Sequence, residues 1–274
     1  MPSKSMRVGN LDFHLVHEGI GDPVLFLHGF PDSSHLWRKQ IPAFLKAGFQ
    51  VVAPDLRGFG SSDKPSETEA YALPAIVGDI VGILDQLNIR RAHDVGHDWG
   101  TGVAWVLAAL QPERVNRLVV LSVGHPATFF KVGISQREKS WYMLLFQFRV
   151  AEELLMRDDW KLFRDFVRHH SECDHWIEDL SKPGALTAAL NWYRANVAPE
   201  IAVPEQWALP SVAAPTMGIW SSGDAYLTET QMILSHQSVS SSWTYERIEG
   251  ASHWLQLDQP ERVNDLIVRF LKAS

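Results

Sequence analysis

The pentapeptide Gly96-His97-Asp98-Trp99-Gly100 constrains the fold of this chain more than any other feature. The segment Ala92–His97 enters it with the character of a strand. Gly100–Leu110 leaves it as a mostly buried helix, with Val103, Val106, Leu107 and Leu110 at helical spacing. Glycines flanking a central polar residue permit a sharp strand-to-helix turn, where backbone and helix approach too closely for a Cβ. The central side chain is then held exposed on a strained backbone. Serine is the usual occupant of that position, and here it is Asp98. Taken alone, the pentapeptide also fits a plain helix N-cap, a common place for aspartate.

The rest of the chain supplies a matching scaffold. Val24–Leu27, Gln50–Ala53 and Arg117–Ser122 are short apolar runs bounded by turn residues and read as buried strands. Strands alternating with helices predict an α/β fold with a mostly parallel central sheet and helices on both faces. From about Pro126 to Ala213 the strand signals stop, and Trp141–His170 reads as helical over most of its length. Strand signals resume at Thr216–Trp220 and Trp243–Ile248, and a last amphipathic helix spans Pro260–Leu271. The simplest organisation is a core domain of residues 1–126 and 213–274 with an inserted helical cap, 127–212. Such a cap would sit over the carboxyl ends of the strands, where open α/β sheets place their ligands.

Composition excludes several functions. A net charge of −7 without a basic cluster leaves no electrostatic footprint for nucleic acid. No run approaches the ~20 apolar residues that a membrane span needs. Cys173 is the single cysteine, so no internal disulfide can form. The opening MPSKSMRVGNLDFH lacks the apolar stretch of a secretory leader, so the expected location is cytoplasmic. Monomer and homodimer both stay open.

Two further residues complete a candidate constellation. His253 follows a strand signal in GASHW, and Asp224 lies just past the strand ending at Trp220. The chain order is therefore nucleophile, acid, base. Position relative to the strands selects His253 from the twelve histidines of the chain. In Leu27-His28-Gly29-Phe30-Pro31 the Phe30 amide, together with that of Trp99, could form an oxyanion hole; the alternative is a simple tight turn. Asp55–Pro65 lacks phosphate-loop spacing and reads as a structural turn. His169–His175 is dense in potential metal ligands but lacks a ligand motif, and reads as a solvated segment. His97 is expected to pack rather than to exchange protons.

HGFPDSSHLW, PDLRGFGSS, GHDWG and GASHW together resemble the epoxide hydrolases of the α/β-hydrolase fold and their haloalkane dehalogenase relatives. The likeness spans nearly the whole chain. It implies that Asp98 attacks a small apolar organic substrate and forms an alkyl ester, which water activated by His253 and Asp224 then hydrolyses. WYMLLFQ and the more specific LNWYRAN are similar to the two epoxide hydrolase segments whose tyrosines donate to the epoxide oxygen, which implies that role for Tyr142 and Tyr193. Without the resemblance, each is equally a core aromatic with a satisfied hydroxyl. Phe30, Trp99, Trp141 and Trp192 are expected to contact the substrate, and no metal or organic cofactor is implied.

Haloalkane dehalogenases are the alternative, with Trp99 as one halide donor. Their usual second donor falls at Phe30, which has none, although Trp141 or Trp192 could substitute. A catalytically silent binder on the same fold is the alternative of another class. A pure binder, however, has no need of a water-activating pair.

Overall fold

The computed structural model describes residues 3–129, 131–199 and 209–273. Eight strands among these residues form one sheet: β1 (Ser3–Val8), β2 (Leu11–Glu18), β3 (Pro23–Leu27), β4 (Gln50–Pro54), β5 (Ala92–His97), β6 (Val115–Leu121), β7 (Thr216–Ser221) and β8 (Trp243–Ile248). Their spatial order is β1-β2-β4-β3-β5-β6-β7-β8. Only β2 opposes its neighbours; from β4 to β8 all pairings are parallel. The expected mostly parallel sheet is therefore present, and each apolar run read as a strand lies in it. β1 and β2 were not anticipated. SKSMRV is largely exposed at the sheet edge, so burial imposed no apolar pattern on it. Its Lys4 and Arg7 are the charged residues that keep an edge strand from pairing with another chain.

Helices cover both faces, as the alternation of residues along β5 makes plain. Gly96 faces the helix Trp99–Leu110, whose Gly100 carbonyl would lie 2.6 Å from a Cβ at position 96. His93 points the opposite way, with its ring 6.2 Å from that of Phe49, over which Lys272 of helix Pro260–Lys272 is placed. That last helix buries Val263, Leu266, Ile267, Phe270 and Leu271, the 3–4 spacing of an amphipathic helix.

Between β6 and β7 the chain is helical: Pro126–Phe129, Ile134–Lys139, Trp141–Leu145, Ala151–Phe166, Cys173–Leu180 and Ala185–Asn196. Residues 130 and 200–208 of the expected cap lie outside the described residues. The near-continuous helix expected over 141–170 is in fact divided. It stops at Leu145, and Ala151–Phe166 is broken where Asp158, Asp159 and Trp160 take φ values of 53°, 55° and 60°. Two adjacent aspartates, poor formers of a helix interior, coincide with the break. No helix among the described residues is long and apolar enough to cross a membrane.

Buried hydrogen bonds fasten this helical segment to the sheet domain. Trp192 Nε1 donates to the Arg57 carbonyl at 3.0 Å, and Arg57 is itself held by a two-pronged bond to Asp79. Asn196 donates to the Tyr71 carbonyl and accepts from the Leu73 amide. On the other side Asp32 accepts from two indoles, Trp176 at 2.7 Å and Trp254 at 3.0 Å. Burial pushes the Asp32 carboxyl up to about 7, and the two indole donors only partly oppose it.

Helix Trp99–Leu110 is seated so tightly that a Cβ on Gly100 would lie 2.0 Å from the Leu27 carbonyl oxygen. Gly100→Ala should therefore destabilise the protein by at least ~3 kcal/mol, since backbone must move to admit the methyl. Gly78, exposed on helix Leu73–Gln86, has open space around its Cβ position. Gly78→Ala should stabilise by about 0.5–1 kcal/mol through helix propensity alone. Urea denaturation midpoints of the two variants check the opposite signs.

Candidate active site

Asp98 sits between β5 and the following helix with φ 52° and ψ −122°, outside the regions a non-glycine residue ordinarily occupies. The turn aims its carboxylate at the loop after β3. There the Phe30 amide donates to Asp98 Oδ1 at 2.7 Å, and the Trp99 amide also hydrogen-bonds the carboxylate. Gly29 leaves room for this arrangement, because a Cβ there would lie 2.3 Å from Oδ1 and 2.5 Å from the Trp99 nitrogen. The same loop is tied back by His28, whose Nε2 accepts from the Leu56 amide while Nδ1 bonds the Gly29 carbonyl.

Asp98 Oδ2 lies 3.6 Å from His253 Nε2, and His253 Nδ1 lies 2.9 Å from Asp224 Oδ2. Asp224 Oδ1 accepts from the amides of Tyr226 and Leu227, so both oxygens of the acid are fixed. The His253 main chain is pinned as well: its carbonyl accepts from His97 Nε2 and Ser122 Oγ, each at 2.9 Å. Burial, helped by the charge of His253, pushes His97 down to about 3. His97 is therefore neutral, and its proton is on the nitrogen that donates.

Tyr142 and Tyr193 are buried on separate helices of the inserted segment with their rings 5.9 Å apart. Both line, with Asp98 and Trp99, a cavity of about 80 Å³. Apart from these residues the lining is mainly apolar, including Leu73, Val123, Pro126, Met143 and Leu227. A family model described as alpha/beta hydrolase fold matches residues 22–260.

The chain belongs to the α/β-hydrolase fold family.

Among its relatives in that family, epoxide hydrolase 4 of Homo sapiens is 35% identical over 98% of this chain and 78% of its own length. Epoxide hydrolase 2 of Caenorhabditis elegans is also 35% identical, over 99% of this chain and 80% of its own. The crystal structure of a Bacillus megaterium epoxide hydrolase in complex with an inhibitor superposes with a TM-score of 0.90 at 28% identity, covering 98% of this chain and all of that one.

Electrostatics of the α/β-hydrolase site follow from two buried carboxylates around one imidazole. Burial works against a charged His253, but the charges and hydrogen bonds of Asp224 and Asp98 prevail and raise it to about 10. For Asp98, burial favours the neutral acid. The hydrogen bond and charge of His253, with the Trp99 amide, outweigh that and hold its carboxyl below the ordinary aspartate range. The resting site is an ion pair. Burial first, and the Asp98 charge second, push the Tyr142 and Tyr193 hydroxyls well above the usual phenol range, so both keep their protons.

Seven of the nine residues singled out from the sequence thus converge: Asp98, His253, Asp224, Tyr142, Tyr193, Phe30 and Trp99. Trp141 and Trp192, expected to contact the substrate, are not among the residues lining the cavity. Trp141 is 50% exposed and outside the lining, and Trp192 is an anchor to Arg57. Phe30 contributes its amide, while its ring packs among Phe146, Phe163, Phe166 and Tyr193 rather than on the cavity. His28, Ser122 and Tyr226 were missed, because their roles depend on partners between 28 and 131 residues away in the chain.

His253 is raised in the folded state, so the stability it contributes is complete below the ordinary histidine value of 6.5 and is lost as pH climbs to about 10. In Asp98→Asn one of the two raising charges is gone. The His253 midpoint, followed by NMR of its ring nitrogens, should then fall below the native one, and the alkaline loss of stability should begin at lower pH.

Proposed function

We propose that this α/β hydrolase converts an organic epoxide to a vicinal diol through a covalent ester on Asp98. The observation that carries this reading is the unequal setting of the two Asp98 oxygens: Oδ1 is held by the Phe30 amide at 2.7 Å, and Oδ2 lies 3.6 Å from His253. A carboxylate so held serves twice, as nucleophile through Oδ2 and then as an acyl group whose carbonyl oxygen already occupies an oxyanion hole. Residues 127–212 are read as a cap that brings the tyrosines over the nucleophile.

In the first step a lone pair of Oδ2 forms the new C–O bond as the ring C–O bond breaks. Tyr142 and Tyr193 donate hydrogen bonds to the departing oxygen, which takes up one proton. Esterification cancels the charge on Asp98, removing part of what kept His253 protonated. His253 thereby gives up its proton, which balances the one taken by the substrate. In the second step neutral His253, oriented by Asp224, takes a proton from water as the oxygen adds to Asp98 Cγ. Negative charge develops on Oδ1, where each amide donor contributes roughly 3 kcal/mol. Collapse releases the diol, whose oxygen takes back the proton from His253, and the acid form of Asp98 returns one to the imidazole.

The tyrosine pair favours an epoxide over a carbon–halogen bond, since a leaving alkoxide needs a proton and a halide does not. Phe30 also lacks the side-chain donor of the usual halide pair. The relatives at 35% identity carry the name epoxide hydrolase, which supports the same choice.

His253→Gln incubated with an epoxide should gain the full mass of that epoxide on Asp98. Adducts formed only from haloalkanes, with loss of the halogen, would replace this reading with a dehalogenase. In a single turnover of the native enzyme in heavy-oxygen water, the label should enter Asp98 and leave the first diol unlabelled. Tyr142→Phe and Tyr193→Phe should each slow ring opening by roughly 10²-fold or more, with unchanged thermal unfolding. Normal turnover by the double variant would remove the tyrosines from the mechanism.

A further inference from the structure

Beyond Asp98, Trp99 and the two tyrosines the cavity runs along Leu73, Val123, Pro126, Phe129, Val197 and Leu227, and Phe166 takes no part in its lining. Between Tyr142 and His253 the space is taken by the Tyr226 ring, 5.7 Å from the one and 5.2 Å from the other, and further aromatic rings pack around it. Phe166 is their hub, with centroids 5.0 Å from Tyr142, 5.1 Å from Tyr226, 5.8 Å from Phe146 and 6.2 Å from Phe30. Separations of this size are van der Waals contact between rings and leave no channel for an alkyl chain. The plug is also fixed at both ends. Tyr226 donates its hydroxyl to the Phe166 carbonyl at 2.5 Å, and its ring lies against His253 at 5.2 Å.

An epoxide clamped between Asp98 and the tyrosines directs the substituents of its two carbons to opposite sides of the clamp. One side opens on an apolar cavity and the other meets the Phe166 cluster. We propose that the enzyme is selective for terminal epoxides, which carry a single apolar substituent, and that Phe166 is the residue excluding epoxides substituted at both carbons. This rests on the epoxide hydrolase reading of the site. Phe166 is not a catalytic residue; it acts on specificity by occupying the volume that a second substituent would need.

The test compares 1,2-epoxyoctane with trans-4,5-epoxyoctane, equal in atoms and differing in where the carbon sits. The native enzyme should favour the terminal isomer in kcat/KM. Intrinsic reactivity also favours it, so the deciding quantity is how the ratio of the two kcat/KM values changes on substitution. Phe166→Ala should shift that ratio toward the internal epoxide by about tenfold or more, the size of effect that one or two methylenes of room produce. Phe166→Leu, which keeps an apolar filler and guards against loss of folding, should shift it in the same direction by less.

An unchanged ratio in folded Phe166→Leu and Phe166→Ala would overturn the assignment of Phe166. Equal kcat/KM of the native enzyme on both isomers would overturn the one-sided site while leaving the epoxide hydrolase reading intact. No diol from either isomer with folded native enzyme would overturn that reading itself, and terminal selectivity with it.

Discussion

Everything in the site depends on how closely helix Trp99–Leu110 approaches the ends of β3 and β5. Gly96 and Gly100 let the helix start against strand carbonyls, at distances where any side chain would collide with backbone. That approach forces Asp98 into its positive-φ conformation and brings the first amide of the helix beside its carboxylate. The strain is local and is offset by a large apolar core in which β3, β5 and β6 are almost wholly buried. Once the turn is set, the loop after β3 has one place to lie, and the Phe30 amide meets Asp98 from the other side.

Charge is arranged with the same economy of parts. Three ionisable groups, Asp224, His253 and Asp98, share a site removed from water, and the protonation states of His253 and Asp98 are set by their surroundings. The tyrosines belong to the same field, because burial first and the negative Asp98 second keep their protons in place. In the proposed reaction, turning Asp98 into an ester changes the acid–base character of the whole site.

The sheet core and the sharp turn at Asp98 were legible because short-range physics dictates them. Burial on both faces writes continuous apolar runs into the central strands, and close backbone approach writes glycines at 96 and 100. Asp224 and His253 were readable from their positions after strands. β1 was not, since an exposed edge strand carries no burial pattern. The placement of Trp141 and Trp192 was not legible for a related reason: an aromatic residue next to a tyrosine of the site can face the pocket, the core or solvent, and its position on the helix decides which. In helix Ala185–Asn196 the polar residues around Tyr193 proved to be fasteners, with Trp192 and Asn196 bonded to main chain of the sheet domain and Arg194 to Glu152. Their specificity reflects the need to hold one tyrosine in place.

Asp32 joins parts of the molecule that the sequence keeps far apart, an indole of the inserted segment and the indole beside His253. The two rings stand 4.5 Å apart at 35°, close enough for their electronic transitions to couple. Such a pair has a near-ultraviolet circular dichroism that neither indole has alone. It exists only while helix Cys173–Leu180 rests on the loop that carries His253. The protein thus contains its own optical gauge of how the inserted segment is seated, readable without a label or a ligand.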